Sequence, residues 1–231
     1  MAGSRKGYPR WINRRVLDKG ISYASIDYRL SGIALSPAQF HDSAMAVQYL
    51  RLNSEKYNID PTRIAATGES AGAGIALWLG LHDDLADPEN KDPLKRQSTR
   101  VQCVGVTNCQ TSYDPLWIRD NIGGDAWKHP ALVKLFGVKQ EDFDTEAAKT
   151  RFAEASTIMH LTKDDAPAHL NYEGMLEGNI HSSKFGLILQ EKMDALGLEC
   201  IVQVKGRPIG SKTSSSEGQL GFLLRHLLKE K

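Results

Sequence analysis

The run Thr67-Gly68-Glu69-Ser70-Ala71-Gly72 matches GxSxG and stands between Arg63 to Thr67, which reads as a strand, and Ile75 to Leu81, which reads as an apolar helix. A serine at so tight a strand-to-helix bend is pushed outward at the carboxyl end of a sheet, where its hydroxyl can attack a carbonyl carbon. The bend predicts small residues on both sides, Gly68 before Glu69 and Gly72 after Ala71, because larger side chains would collide with the neighbouring strands and helix. The backbone N–H of Ala71 and the helix N-terminus would then face the point where negative charge develops on an attacked carbonyl oxygen. The plain alternative is a glycine-rich helix start packed closely against the sheet.

The elements that must position this serine alternate between two periodicities. Ile21 to Tyr28 reads as a strand, and Phe40, Ala44, Val47 and Leu50 share one helical face. Val101 to Thr107, Ala168 to Tyr172 and Glu199 to Val204 read as later strands. Phe185, Ile188, Leu189, Met193 and Leu196 define a helix stopped by Gly197, and Leu220, Leu223, Leu224 and Leu227 line a last one. Strands alternating with amphipathic helices predict an α/β fold, a mostly parallel sheet covered on both faces. The whole chain, 1–231, reads as a single domain, and the long stretch Asn108 to Pro167 as a helical lid inserted within it. The patch Ser211 to Glu217 reads as a mobile loop.

Composition narrows the function classes. With 231 residues, 41% apolar and 25% charged, the chain fits one soluble globular domain. Twenty-nine basic against twenty-eight acidic side chains leave no summed field to attract nucleic acid or an anionic membrane, and a small substrate fits better. No run is long and apolar enough for a spanning helix, and no apolar segment of a signal peptide follows Met1, so the expected location is cytoplasmic unless the natural N-terminus is longer. Residues 1–19 are basic and read as a solvated helix face with Ile12 and Val16 as its apolar stripe. Cys103, Cys109 and Cys200 lack CxxC spacing and read as buried thiols, with no metal site implied. His82 with Asp83, Asp84 and Asp87 reads as a solvated helix end. No phosphate loop or dinucleotide fingerprint is present, so no cofactor is expected.

The chain resembles the α/β-hydrolase superfamily in its esterase and lipase branch. The resemblance rests on Asp27-Tyr28-Arg29-Leu30, on Pro37 and Asp42, on Asp60-Pro61 with Arg63-Ile64-Ala65, and on Gly68-Glu69-Ser70-Ala71-Gly72. The run from Ala76-Leu77-Trp78 through His82-Asp83-Asp84-Leu85-Ala86-Asp87-Pro88 is similar to a bacterial esterase subgroup. In that family an HGG-type loop before the first helix completes the oxyanion hole. This chain begins inside what resembles that helix, so its N-terminus reads as truncated, either at an unnatural start or in a shortened paralogue. Strands missing ahead of it would leave a sheet edge open to pairing with a second copy.

The resemblance implies a serine carboxylesterase acting on a small ester through an acyl-enzyme on Ser70, with an acid and then a histidine following in chain order. Its histidine position after the last strand is empty, since Lys205 to Gly218 contains none. His181 precedes the helix that begins near Lys184, which places it near the carboxyl edge of the sheet, and with Ile180, Phe185 and Gly186 it resembles the subgroup's pattern; it is the candidate base, while His226 reads as a surface or packing residue. Glu173 and Glu177 follow the fourth strand where the family keeps its acid, and Asp114 occupies an alternative position after the third. Asp114 also suits a turn before Pro115. The competing expectation is a degenerate, non-catalytic α/β-hydrolase domain, a binding or scaffold protein or a gene fragment.

Overall fold

Four five-residue runs build the sheet: β1 (Ala65–Glu69), β2 (Cys103–Thr107), β3 (Ala168–Tyr172) and β4 (Cys200–Val204). They pair in that order, all parallel, and the short β5 (Arg207–Pro208) lies antiparallel on β4. These positions come from a computed structural model that describes residues 1, 4–7, 15–175, 177–210 and 215–228. Glu69 lies opposite Thr107, and Thr107 opposite Asn171, so the loops leaving β1, β2 and β3 emerge side by side at one end of the sheet.

Strand alternation sends residues to two faces. Val104, Val106, Leu170, Tyr172 and Val202 enter the main core, while Cys103 and Ile201 pack with Phe222 on the other side. Helices α1 (Ala38–Leu52), α2 (Ala71–Leu81) and, after β3, the helix Lys184–Ala195 supply the main core, and the helix Gln219–Leu228 covers β2 and β3 from the opposite face. α2 is apolar all round and buried from Ala73 to Leu81, as a helix with no solvent face must be. The doubly covered, mostly parallel α/β sheet read from the alternation of strands and helices is the architecture observed.

Between β2 and β3 the chain forms three short helices, α3 (Pro115–Asn121), α4 (Pro130–Phe136) and α5 (Glu146–Ala155). Ile118, Leu132, Leu135, Phe136 and Phe152 from this stretch are buried, and the Phe136 and Phe152 rings meet edge-on at 4.8 Å. The helix Lys184–Ala195, now α6, ends before Gly197 at φ 76°, and Gln219–Leu228 is α7.

One expected strand is absent. Residues 21–30 alternate between half-buried and exposed side chains, as extended chain does, but they join no ladder. A strand exists only through a partner, and this segment is held by side chains instead: Asp27 accepts from the Arg5 N–H, and Asp42 takes a forked pair of bonds from Arg29. The patch read as a mobile loop is tied at its far end, where Gln203 donates to the carbonyls of Ser215 and Glu217; Ser211 to Ser214, like Ile12, lie outside the described residues. The cysteines are buried free thiols, and burial pushes Cys103 up to about 12. Among the described residues no helix is long and apolar enough to cross a membrane.

Candidate active site

Ser70 sits between β1 and α2 with φ 49° and ψ −112°, a conformation few side-chain-bearing residues adopt. The strain is held from both ends: the Ser70 N–H donates to the Thr107 carbonyl at 3.0 Å, and the Ser70 carbonyl accepts from the Gly74 N–H at 3.1 Å. Gly68 makes the bend feasible, since a Cβ there would stand 2.4 Å from the backbone of Gly72. At Gly72 the expectation of crowding is corrected, because a Cβ there would meet nothing within 4 Å. The two glycines are in contact through the backbone of Gly72, and only the side-chain direction of Gly68 points into it.

His181 lies in the loop between β3 and α6, and its Nε2 is 2.9 Å from Ser70 Oγ. The loop is pinned by Asn179, whose Oδ1 accepts from the His181 N–H at 2.9 Å, and by Gln110, whose amide donates to the Ile180 carbonyl at 2.9 Å. Burial lowers the His181 pKa, the neighbouring His129 lowers it further, and Glu69 and Glu173 oppose the shift. A neutral imidazole therefore persists to lower pH, leaving Nε2 free to receive the serine proton. Ala71 opens α2, and its N–H belongs to the first helical turn, whose donors lack acceptors within the helix.

Ser70, Ala71 and His181 share a cavity of about 110 Å³ with Gln110, Tyr113, His129, Ala131, Leu132, Leu135, Ile180 and Met1. Gln110, Tyr113 and His129 escaped the sequence reading. The sequence around His129 offers one cue, Pro130 after it, which marks a break in the chain and not a site.

The three candidate acids are not gathered at the imidazole. Asp114 caps α3, accepting from the N–H groups of Leu116 at 2.8 Å and Trp117 at 3.3 Å. Glu177 is exposed and lies 3.7 Å from Lys184 Nζ. Glu173 is exposed, with its backbone N–H bonded to Asn108 Oδ1 at 3.1 Å, and it reaches His181 through its charge rather than a hydrogen bond. His226 packs on Phe222 and bonds to Glu199. None of the residues around Ser70 belongs to a cluster able to share a metal ion among the described residues.

A family model described as BD-FAE matches residues 2–174, three quarters of the chain. The chain belongs to the BD-FAE family. The family model and curated relatives named as deacetylases and α/β-hydrolases are consistent with the esterase branch of the α/β-hydrolases. The chain is similar to arylacetamide deacetylase-like 2 of Homo sapiens, 43% identical over 112 residues, which are 48% of this chain and 27% of that protein. Among solved structures it is similar to the acetyl ester-xyloside bifunctional hydrolase from Caldicellulosiruptor lactoaceticus, with a TM-score of 0.62 and 23% identity over 87% of this chain and 64% of that one. The bifunctional GH43-CE protein of Bacteroides eggerthii gives a TM-score of 0.71 at 22% identity, over 93% of this BD-FAE chain and 30% of its own. These likenesses show the fold. The BD-FAE member spans between 20% and 27% of the lengths of the first curated relatives it matches.

Proposed function

We propose that this chain carries the nucleophile and base of a serine ester hydrolase for small acyl groups. The observation that carries the reading is the 2.9 Å approach of Ser70 Oγ to His181 Nε2 in the lining of a small cavity. Ser70 Oγ bonds to the ester carbonyl carbon while its proton passes to His181 Nε2, and the Ala71 N–H donates to the oxygen that gains charge. The C–O bond to the alcohol then breaks, and His181 returns the proton to the departing oxygen. Water, deprotonated by the same imidazole, releases the acid and restores Ser70.

The lowered pKa of His181 supports its role as base, and the charges of Glu69 and, less, Glu173 stabilise the imidazolium formed during the step. A cavity of about 110 Å³ is well below the roughly 300–1,000 Å³ of pockets that enclose drug-sized ligands, which favours short acyl chains. His129, Ala131, Leu132 and Leu135 come from the stretch 108–167, which fits the role of a cap over the acyl group. The lack of a carboxylate bonded to His181 among the described residues favours the second reading, a domain that binds esters without turnover.

One experiment separates the two. A fluorophosphonate probe should form a single adduct on Ser70, and p-nitrophenyl acetate should give a burst followed by turnover, faster than with the octanoate ester. Ser70→Ala should abolish both, with losses of up to about 10⁶ in kcat for members of such a unit. His181→Gln should do nearly as much and Glu173→Gln less. Equal labelling of Ser70→Ala, or a wild type no faster than that variant, would overturn catalysis and leave the binding domain.

A further inference from the structure

At the far end of α2 from Ser70, about 16 Å along a helix of eleven residues, His82 closes the helix. The acidic neighbours that follow it do not gather around it: Asp84 accepts from Thr99 and Ala86, and Asp87 from Glu89 and Asn90. Tertiary packing brings two other groups to His82 instead. Glu154 arrives from the last turn of α5, and His160 from just beyond it. One ligand atom from each of these side chains lies within 4.8 Å of the others, and all are partly buried.

The hydrogen bonds assign the protons. His82 Nδ1 is 3.0 Å from the Asp83 carbonyl, and His160 Nε2 is 3.1 and 3.0 Å from the carbonyls of Ala153 and Glu154. Carbonyl oxygens only accept, so those nitrogens carry N–H and the other nitrogen of each neutral ring keeps its lone pair. For His82 that lone pair is on Nε2, which faces Glu154 Oε1 at 3.5 Å. With the ring neutral, two acceptors face each other there, and a cation between them, a proton or a metal ion, makes the contact attractive.

The same bonds are the outer support that metal-binding histidines use, a backbone carbonyl fixing the tautomer and the ring. Trp78 completes the support, with its ring 4.0 Å from that of His82 and its indole N–H donating to the Glu154 carbonyl at 2.9 Å. From this geometry we infer that His82, Glu154 and His160 form a site for a divalent transition ion of the zinc class. Two imidazoles and one carboxylate suit Zn²⁺, whereas Mg²⁺ and Ca²⁺ call for oxygen ligands. Tetrahedral Zn²⁺ with bonds of about 2.0–2.2 Å sets its ligand atoms about 3.3–3.6 Å apart, so the three groups, within 4.8 Å of one another, must draw in by no more than about 1.5 Å. Water fills the fourth position. The ion joins the end of α2 to α5, clamping the stretch between β2 and β3 onto the helix that begins at Ser70.

The test uses tag-free protein treated with a chelator, freed of it, and titrated with Zn²⁺ by calorimetry, with metal content read after dialysis. The expected result is one Zn²⁺ per chain, a rise in Tm, a change in Trp78 fluorescence, and no competition from millimolar Mg²⁺. Glu154→Gln, on a half-exposed side chain, should keep the far-ultraviolet circular dichroism and weaken Zn²⁺ about a hundredfold or more, as should His160→Gln. Ser70→Ala should bind Zn²⁺ like the wild type. Failure of the wild type to hold stoichiometric Zn²⁺, or equal binding by the folded Glu154→Gln and His160→Gln proteins, would overturn the site.

Discussion

Exchanging the two glycines of the bend one at a time tests whether backbone contact, rather than a general need for small residues, holds Ser70 in place. In Gly68→Ala the new Cβ would sit 2.4 Å from the carbonyl carbon and oxygen of Gly72 and 2.8 Å from Ala73 N. Carbon atoms settle about 3.5 Å apart, so the start of α2 must retreat by about 1 Å. Both sides of the contact are backbone and no rotamer change relieves it. The cost is at the upper end of overpacking, about 3 kcal/mol. For a chain of this size that lowers Tm by about 6–12 °C. Ser70 rides on the displaced turn, and a shift of about 1 Å at a reacting group costs about 10² in rate. In Gly72→Ala the added methyl meets nothing within 4 Å and replaces a helical glycine, so stability should rise by about 0.5 kcal/mol. Thermal melts of both variants, with kcat/KM for p-nitrophenyl acetate, read the asymmetry. A Gly68→Ala protein that melts within a degree of wild type and keeps its activity within threefold would refute the reasoning, as would equal damage from both substitutions.

Two further outcomes follow from the site. A base acts only when deprotonated, so activity falls as pH drops through the pKa of His181, and the lowered pKa moves that limb below the ordinary histidine value. His129→Asn removes one cause of the lowering while keeping a cap for the Ala131 N–H, so the acid limb of kcat/KM should move to higher pH; a limb that stays or moves down contradicts the assigned cause. Asp114→Ala should lose the α3 cap, about 1 kcal/mol and about 2–4 °C in Tm, whereas Asp114→Asn should keep both stability and kcat. A large fall in kcat for Asp114→Asn at unchanged Tm would restore Asp114 as the acid partner of His181.

What could be read along the chain was local. β1 through β4, α1 and the glycine stop after α6 follow from periodicity and caps within a dozen neighbours, and the GxSxG run at a strand-helix junction is itself a local bend. Ser70 was legible for that reason. Ile21 to Tyr28 reads as a strand because its alternation describes an extended chain, while a strand needs a neighbour that alternation cannot supply. His181, 111 residues from Ser70, is legible from its place ahead of the helix near Lys184 and from resemblance, while the places of Gln110, Tyr113 and His129 around the cavity depend on loops that meet in space. The carboxylates show the same division. Local sequence places Asp114 before Pro115, where a cap is natural, but only packing sends its oxygens to Leu116 and Trp117 and leaves Glu173 near the imidazole as a charge. His82 likewise has acidic neighbours in sequence and a different carboxylate in space. Short-range torsional preference writes each bend and helix, whereas convergence of distant side chains is decided when the hydrophobic faces close and fix which loops emerge together.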